Sequence, residues 1–313
     1  MINRIFTLRS LSPVHCGIGQ GLNDIDLPTA RNSVSGHPIV PASSIKGVLK
    51  DEFLNNGLGE KNGNKDWEET TRSLFGDESS EFASAISIGD ANLLALPVRS
   101  FFGTFAYLAS PYTLLQLKTL CGRMGSAVQL PDIPTIGLRD DNGSYKVLLT
   151  DSSLLKQSEN NAVLLEEMDL LIDADDNLAN EWADIIAPLF YNDEEGQTIF
   201  KKRFAIVDDN ALNFCCDSGL PVDARIAIDH ETGTVKKGAL WYEETVPPES
   251  LFSGIIGVDR SYNTEKNATA EELSDFLTAS GGIYCQIGGK ATTGKGFVAL
   301  NFHKIERSAA DAE

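Results

Sequence analysis

The sequence predicts an α+β protein with a ferredoxin-like core, long insertions and a protruding β-hairpin. Three observations lead there. Segments of strand character and segments of helical periodicity follow one another as strand, helix, strands, helix, strands, which is the order of a split βαβ unit. Stretches too long and too polar or acidic for simple connections interrupt that order at 55–80 and 151–200. Two strand segments flank a turn-rich run within 225–246, which makes a long hairpin.

Each element follows from its residues. Residues 4–11 (RIFTLRSL) open the chain as a strand. Residues 12–42 are rich in Gly, Pro, Asn and Ser with weak periodicity, so they read as an extended loop. A helix starts near Ser43 or Ser44: Ile45, Val48, Leu49 and Phe53 form its apolar stripe, and Lys46 and Lys50 lie one turn apart on another face. Residues 55–80 have the polar, Gly- and Asn-rich composition of a mobile insertion. Apolar segments follow at 84–95 and 99–120, the second turning helical after Pro111. Between 177 and 190, Leu178, Trp182, Ile185, Ile186 and Leu189 mark an amphipathic helix with a solvated acidic face. Strands are expected at 203–207, 225–229 and 239–246, the last closed by Pro247 and Pro248, with Lys236 and Lys237 giving the hairpin a basic tip. Thr269 and Glu272 have capping-box spacing ahead of Leu273, Phe276 and Leu277, and Gly281 and Gly282 stop that helix. A strand at 283–287, a Gly-rich loop at 288–296 (GGKATTGKG) and a strand alternating through Val298, Leu300 and Phe302 follow.

A hydrophobic fraction of 42% supports a real core in the 313 residues. No stretch nears the roughly 20 apolar residues of a membrane-spanning helix, and Asn3, Arg4, Thr7 and Arg9 interrupt any signal-peptide core. A cytoplasmic protein with no membrane partner is therefore expected. Cys16, Cys121, Cys215, Cys216 and Cys285 form no CxxC pair. Cys215 and Cys216 with His230 could hold a metal, but adjacent cysteines chelate poorly, and buried free thiols are the better reading. The formal net charge is -19, unevenly spread: 151–200 holds 13 acidic residues and one basic residue, Lys156. Such a distribution permits a local basic track for nucleic acid without pointing to one, and it places the acidic stretch on a face turned away from it or against a basic partner.

Four segments could carry chemistry. Gly289, Gly294 and Lys295 satisfy G-x-x-x-x-G-K, but Gly296 stands where a P-loop has its magnesium-binding Ser or Thr, and a strand follows instead of a helix. ATP binding is thereby rejected; the loop suits either a backbone phosphate or a tight turn. Ser43 and Ser44 beside Lys46 and Lys50 make either an anion site at a helix start or an ordinary capped helix. Within 15–28 (HCGIGQGLNDIDLP), Asp24 and Asp26 at i, i+2 would share one face of an extended backbone. A carboxylate there can hold a divalent metal or orient a 2′-hydroxyl, with His15 as acid or base; loop aspartates and a lone histidine also serve as turn and packing residues. Trp241 and Tyr242, beside Glu243 and Glu244, either stack on bases or belong to the core.

In this order the segments resemble the RAMP superfamily and, within it, the backbone subunits (the fourth-subunit family) of type III-B CRISPR, or Cmr, complexes. The markers are LSPVHCGIGQGLNDIDLPTAR at 11–31, SGHPIVPASSIKGVLK at 35–50, RSFFGTFAYLASPYTLLQL at 99–117, RIAIDHETGTVKKGALWYEETVPPESLF at 225–252 and IGGKATTGKGF at 287–297. The third and fourth point to the Cmr subunit in particular.

The resemblance implies an RNA-recognition-type fold of palm, fingers and thumb in a single domain over 1–313. Its palm core would come from 1–54, 84–125, 200–228 and 250–305, with an insertion about 55–80, an acidic helical insertion about 151–200 and a thumb hairpin about 225–246. It implies copies stacked in a filament along a CRISPR RNA, with other Cmr-complex subunits. It also implies endoribonuclease cleavage of single-stranded target RNA at regular intervals, dependent on a divalent metal ion (Mg2+ or Mn2+), leaving 2′,3′-cyclic phosphate and 5′-hydroxyl ends. Asp26, just before Leu27-Pro28, matches the family's catalytic, metal-supporting aspartate. His15 matches a histidine of the same loop region, and Glu243 lies where the family has an acidic residue near the site. Ser43, Ser44, Lys46 and Lys50 match the helix that grips the guide backbone. Gly288, Gly289, Lys290, Thr292, Thr293, Gly294 and Lys295 match the family's glycine-rich loop. Arg31, Arg225 and Trp241 complete the expected RNA-binding set, whereas Asp24 falls outside the matched pattern. The rivals are a filament subunit that coats guide RNA without cutting and a CRISPR RNA-processing endonuclease.

Overall fold

Ile5, Phe6, Thr7 and Leu8 are all buried in the strand Ile2–Ser10. A strand covered on one face buries alternate residues; four in a row require packing on both faces. This strand accordingly sits inside a sheet between two helical layers. A computed structural model describes residues 1–19, 25–62, 65–77, 81–123, 129–135, 143–157, 159–166, 168–173 and 177–303. Ile2–Ser10 pairs antiparallel with Leu251–Val258 on one side and with Phe297–His303 on the other. Ala91–Arg99 pairs beyond Leu251–Val258, and Gly282–Gln286 lies beyond Phe297–His303. With the helices Ala42–Leu54 and Ala270–Thr278 as crossovers, this is the antiparallel order of a ferredoxin-like split βαβ unit. The capping box at Thr269 and Glu272 opens the second helix as its spacing predicts.

Both crossover helices pack on one face of the sheet, where Phe53 and Phe276 meet with ring centroids 5.2 Å apart. Phe6 and Leu8 share that core with Ile45, Leu49 and Leu273. On the other face, Ile5, Leu94 and Leu251 pack with Tyr107 and with Trp182, Ile186 and Phe190 of the helix Leu178–Phe190. The sheet continues past Ala91–Arg99 through Phe105–Ala109, Phe204–Val207, Lys146–Leu149, Asp169–Ile172, Ala162–Leu164 and Lys156–Gln157, reaching 13 strands. Among the described residues no helix is long and apolar enough to cross a membrane, and all five cysteines are buried free thiols.

Two insertions differ from their expected form. The stretch 55–80 contains the helices Leu58–Asn62 and Trp67–Phe75, and Leu58, Leu74 and Phe75 belong to the core. Trp67, Thr71, Leu74 and Phe75 recur at helical spacing, a signal hidden by the surrounding Asn and Gly. The acidic stretch 151–200 is only partly helical. Its first part forms the three strands at the far edge of the sheet, and only its second part forms helices, Leu178–Phe190 and Glu194–Lys201. Glu159, Glu166, Asp169, Glu181, Glu194 and Glu195 are exposed. Asp169, in the strand Asp169–Ile172, lies towards the opposite end of the sheet order from Gly282–Gln286 and the Gly-rich loop that follows it, whereas Glu181, Glu194 and Glu195 sit on the helices.

One half-buried titratable group makes the fold pH-sensitive. His303 contacts the Thr7 hydroxyl at 2.8 Å, and burial pushes its pKa down from 6.5 to about 4, outweighing a hydrogen bond with the Leu189 carbonyl. Between those values the unfolded chain binds more protons than the folded one, so stability falls as pH drops from 6.5 towards 4, by at most about 3 kcal/mol. Urea unfolding across this range should show that slope, and His303→Gln should flatten it.

Candidate functional site

Three segments remote in sequence are stitched together by backbone hydrogen bonds. After Ser10 the chain leaves the sheet, and Val14 exchanges both amide bonds with Val246, at 2.9 and 2.8 Å. The Gly289 amide donates to the His15 carbonyl and the Gly296 amide to the Pro13 carbonyl, each at 2.8 Å, which docks the Gly-rich loop on the same stretch. The Leu27 amide donates to the Tyr242 carbonyl, and the Glu244 amide donates to the Leu27 carbonyl, each at 3.0 Å. Residues 13–19 and 25–31, the Gly-rich loop and the root of the hairpin thus share one junction.

Asp26 is exposed at this junction, and its Oδ2 accepts the Tyr242 amide at 2.8 Å. A carboxylate held by a backbone amide has a defined orientation. No hydrogen bond from the described residues reaches its second oxygen. Asp24, its expected companion, lies outside the described residues. His15 is buried with Nδ1 2.8 Å from the Glu244 carbonyl. A carbonyl only accepts, so Nδ1 donates and the neutral ring presents Nε2 as an acceptor. Nε2 lies beside Gly17, and His15, Ser43, Ser44, Gly288, Gly289 and Lys290 line one cleft of about 630 Å³. Leu27, next to Asp26, lines it too. Gly288 has φ of 90°, and a Cβ there would lie 3.1 Å from the His15 carbonyl carbon, so only glycine lets the loop come this close.

The helix beside the cleft begins one turn position earlier than its serines suggest. It spans Ala42–Leu54 with Pro41 at the cap, and the Asp90 carboxylate, not a serine, accepts the Ala42 amide at 2.8 Å. Ser43 and Ser44 occupy the first turn, Ser43 exposed. Burial lowers the Lys46 pKa and the neighbouring Lys50 adds to that, while Lys50 donates to the Gly76 carbonyl at 3.2 Å. Neither lysine lines the cleft.

The hairpin comprises Val222–Ile228 and Val235–Glu244 and forms its own two-stranded sheet. Its turn is 229–234, so Lys236 and Lys237 lie in the second strand, exposed, and not at the tip. Most residues along both strands are exposed. Arg225 pairs across the ladder with Trp241 and lies 3.4 Å from Asp223. Trp241 is half-buried, and its Nε1 has no hydrogen-bond partner among the described residues. Thr292, Thr293 and Gly294 are exposed in a helical turn after Lys290.

Several of the expected site residues bind each other. Lys295 is 4% exposed, and its Nζ lies 2.7 Å from Glu243 Oε1 and 3.1 Å from Asp223 Oδ2. Lys290 Nζ reaches Glu243 Oε2 at 3.3 Å. Burial alone would raise the Glu243 pKa, but the Lys295 and Lys290 ammonium groups hold it below the ordinary value. Arg31 is likewise occupied: it donates to the Gly36 and Cys216 carbonyls at 3.0 Å and to Glu244 Oε1 at 2.7 Å. Glu244 was not anticipated, although it takes the Thr29 amide at 3.0 Å on its other oxygen. Alternation in a strand sends Glu243 and Glu244 to opposite sides, so each needs its own partner; the partners themselves are not visible in the sequence.

The fold and this junction define a RAMP protein. The chain belongs to the RAMP superfamily, whose family model matches residues 7–299. Within it, the chain falls with the Cmr4 subunits. It is 33% identical over 306 residues, 95% of each chain, to the CRISPR system Cmr endoribonuclease Cmr4 of Pyrococcus furiosus. It is 26% identical over 317 residues, again 95% of each, to the CRISPR system CMR subunit Cmr4 of Saccharolobus solfataricus. It is similar to the crystal structure of oligomeric Cmr4 from Pyrococcus furiosus, with a TM-score of 0.72, 26% identity and coverage of 98% of this chain and 100% of that one.

Removing Glu244 would leave the Arg31 guanidinium and the Thr29 amide without their shared carboxylate. Glu244→Ala should cost about 2–4 kcal/mol in urea unfolding, and Glu244→Gln clearly less.

Proposed function

We propose that this chain is an RNA-cutting backbone subunit of a type III-B CRISPR effector complex. It binds CRISPR RNA alongside further copies of itself and other Cmr-complex subunits, and it cleaves complementary single-stranded target RNA. The observation that carries this reading is the position of Asp26: an exposed, amide-oriented carboxylate at the root of a solvent-standing hairpin, one residue from the cleft. The name of the Pyrococcus furiosus relative, an endoribonuclease, supports it.

The guide backbone fits the cleft. The Ser43 amide in the first turn, the Gly288 amide and the Lys290 charge all suit phosphate, whereas the Ser44 and Gly289 amides are already given to the Pro41 and His15 carbonyls. The 13-stranded sheet with its helices is the palm and the hairpin is the thumb; the acidic strands lie at the far end of the sheet order, away from this surface. A hairpin that wedges into the guide–target duplex splays a nucleotide and frees its backbone, so the 2′-hydroxyl aligns with the adjacent phosphorus. The 2′-oxygen attacks, its proton leaves to an acceptor such as His15 Nε2, and the 5′-oxygen departs and takes up a proton. The products are a 2′,3′-cyclic phosphate and a 5′-hydroxyl.

The donor set fits a divalent ion only in company with RNA. Asp26 offers a free oxygen, Glu243 is occupied by lysines, and among the described residues no group of three His, Cys, Asp or Glu side chains could hold an ion. Mg2+ or Mn2+ would be held by Asp26 with phosphate oxygens and water completing its shell. When bound, such an ion neutralises charge on the reacting phosphate.

In the assembled complex, Asp26→Ala should lower single-turnover cleavage by about 100-fold or more while target affinity stays within about twofold. Unaltered cleavage would leave the chain as a coat for the guide. Cleavage of precursor RNA by the isolated chain would favour the processing endonuclease.

A further inference from the structure

We infer that Lys295 is a positioning residue for target cleavage: it neutralises the facing carboxylates of Asp223 and Glu243 at the hairpin root, and through them it holds the Asp26 carboxylate in place. The inference rests on the nuclease reading above and adds to it a residue that never meets RNA.

The geometry has three parts. First, Asp223 and Glu243 sit directly across the hairpin ladder from one another. Like charges at opposed positions of an antiparallel pair drive the strands apart. Glu243 is 1% exposed, so water screens it poorly. Second, Lys295 is the buried cation that both carboxylates share, with Nζ 3.1 Å from Asp223 and 2.7 Å from Glu243, whereas Lys290 reaches Glu243 and Arg225 reaches Asp223, each from a half-exposed position at 3.3 and 3.4 Å. Lys295 is itself buried, and the hydrogen bonds of Gly296 to Pro13 and of Gln286 to the Lys295 carbonyl fix its backbone. The ammonium group is thus locked against the hairpin root and turned away from solvent. Third, the strand it secures carries the Asp26 contacts. Glu243 forms a parallel bridge with Leu27, and its neighbour Tyr242 gives its amide to Asp26 Oδ2 and its carbonyl to the Leu27 amide. A shift of the strand at Glu243 therefore moves both bonds that aim Asp26.

A lysine of a glycine-rich loop would ordinarily be read as a phosphate ligand. The two roles separate experimentally, because a phosphate contact sets affinity and its salt dependence, whereas a neutralising cation becomes dispensable once the anions it faces are removed. In the assembled complex, Lys295→Met should lower the single-turnover cleavage rate at saturating RNA by tenfold or more. Guide and target affinities, and their salt slopes, should remain those of the parent. Adding Asp223→Asn and Glu243→Gln to Lys295→Met should restore cleavage to within a few-fold of the parent. Hydrogen exchange at the Tyr242 amide should speed up in the single variant and slow again in the triple one.

A cleavage rate in Lys295→Met equal to the parent's overturns the inference. So does a loss of affinity with a salt slope reduced by about one, which marks a phosphate contact. If Lys295→Met does not fold, the triple variant alone decides: cleavage near the parent's supports neutralisation, and cleavage lost in a folded, RNA-binding complex overturns it. Asp26→Ala is the control that keeps the two readings apart. Cleavage surviving Asp26→Ala removes the nuclease assignment itself, whereas cleavage lost in Asp26→Ala but intact in Lys295→Met removes only the role given to Lys295.

Discussion

The site depends on a short run of backbone pairing that joins Val14 and Leu27 to the end of the hairpin strand Val235–Glu244 and to Val246 just beyond it. That run cannot be part of the main sheet, because the chain has already left the strand Ile2–Ser10. Its amides and carbonyls still need partners once buried, and they find them at Val246, Tyr242 and Glu244. The side chains then follow from the backbone. His15 is turned by the Glu244 carbonyl, Asp26 by the Tyr242 amide, and the Thr29 and Arg31 end is pinned by the Glu244 carboxylate. A loop that would otherwise wander is held to a scaffold, as a reactive group on a loop requires.

Charge is divided by burial. Two acids of the junction, Asp26 and Glu243, lie one on each side of the pairing run, yet only Asp26 faces solvent. Glu243 is neutralised by two lysines and cannot act as a second free carboxylate. An exposed carboxylate bears little desolvation cost. A buried one is stable only when paired, and breaking such a pair is costly. Exposure thus leaves Asp26 free for the reactive role proposed for it and burial makes Glu243 architectural, although the two look alike in the sequence.

The parts legible in the sequence are those decided locally. The strand–helix order, the capping box at Thr269 and the alternating last strand all rest on residues within one turn or one strand, and each stands in the structure. The helices Leu58–Asn62 and Trp67–Phe75 are masked because the Asn- and Gly-rich composition around them hides the spacing of Trp67, Leu74 and Phe75. The acidic strands at 156–172 escaped because acids on exposed positions mask the buried Ala162, Val163 and Leu170 between them. The ion pairs were out of reach for a different reason. Lys295 meets Glu243 from 52 residues away and Arg31 meets Glu244 from 213 away, and no local periodicity encodes such a pairing. The RAMP resemblance named segments that the fold brings to one junction without saying which of their charges are spent on one another.

How a chain of net charge -19 can hold RNA follows from the same sheet. Its strand order runs from the Gly-rich loop at one end to the acidic strands at the other. Screening is nearly complete beyond about 10 Å at moderate salt, so acids many strands away contribute little at the cleft. In the proposed reading a phosphate meets Lys290, itself shared with Glu243, and the Ser43 and Gly288 amides, while Lys295, Glu243 and Asp223 are already bound to one another. Few free cations at such a surface mean that affinity per subunit stays modest. Tight binding then has to come from many copies along one strand, where each added copy binds at the effective concentration set by its neighbours. A subunit built to act in a row needs only a weak grip on each stretch of guide, provided its Asp26 is aimed the same way in every copy.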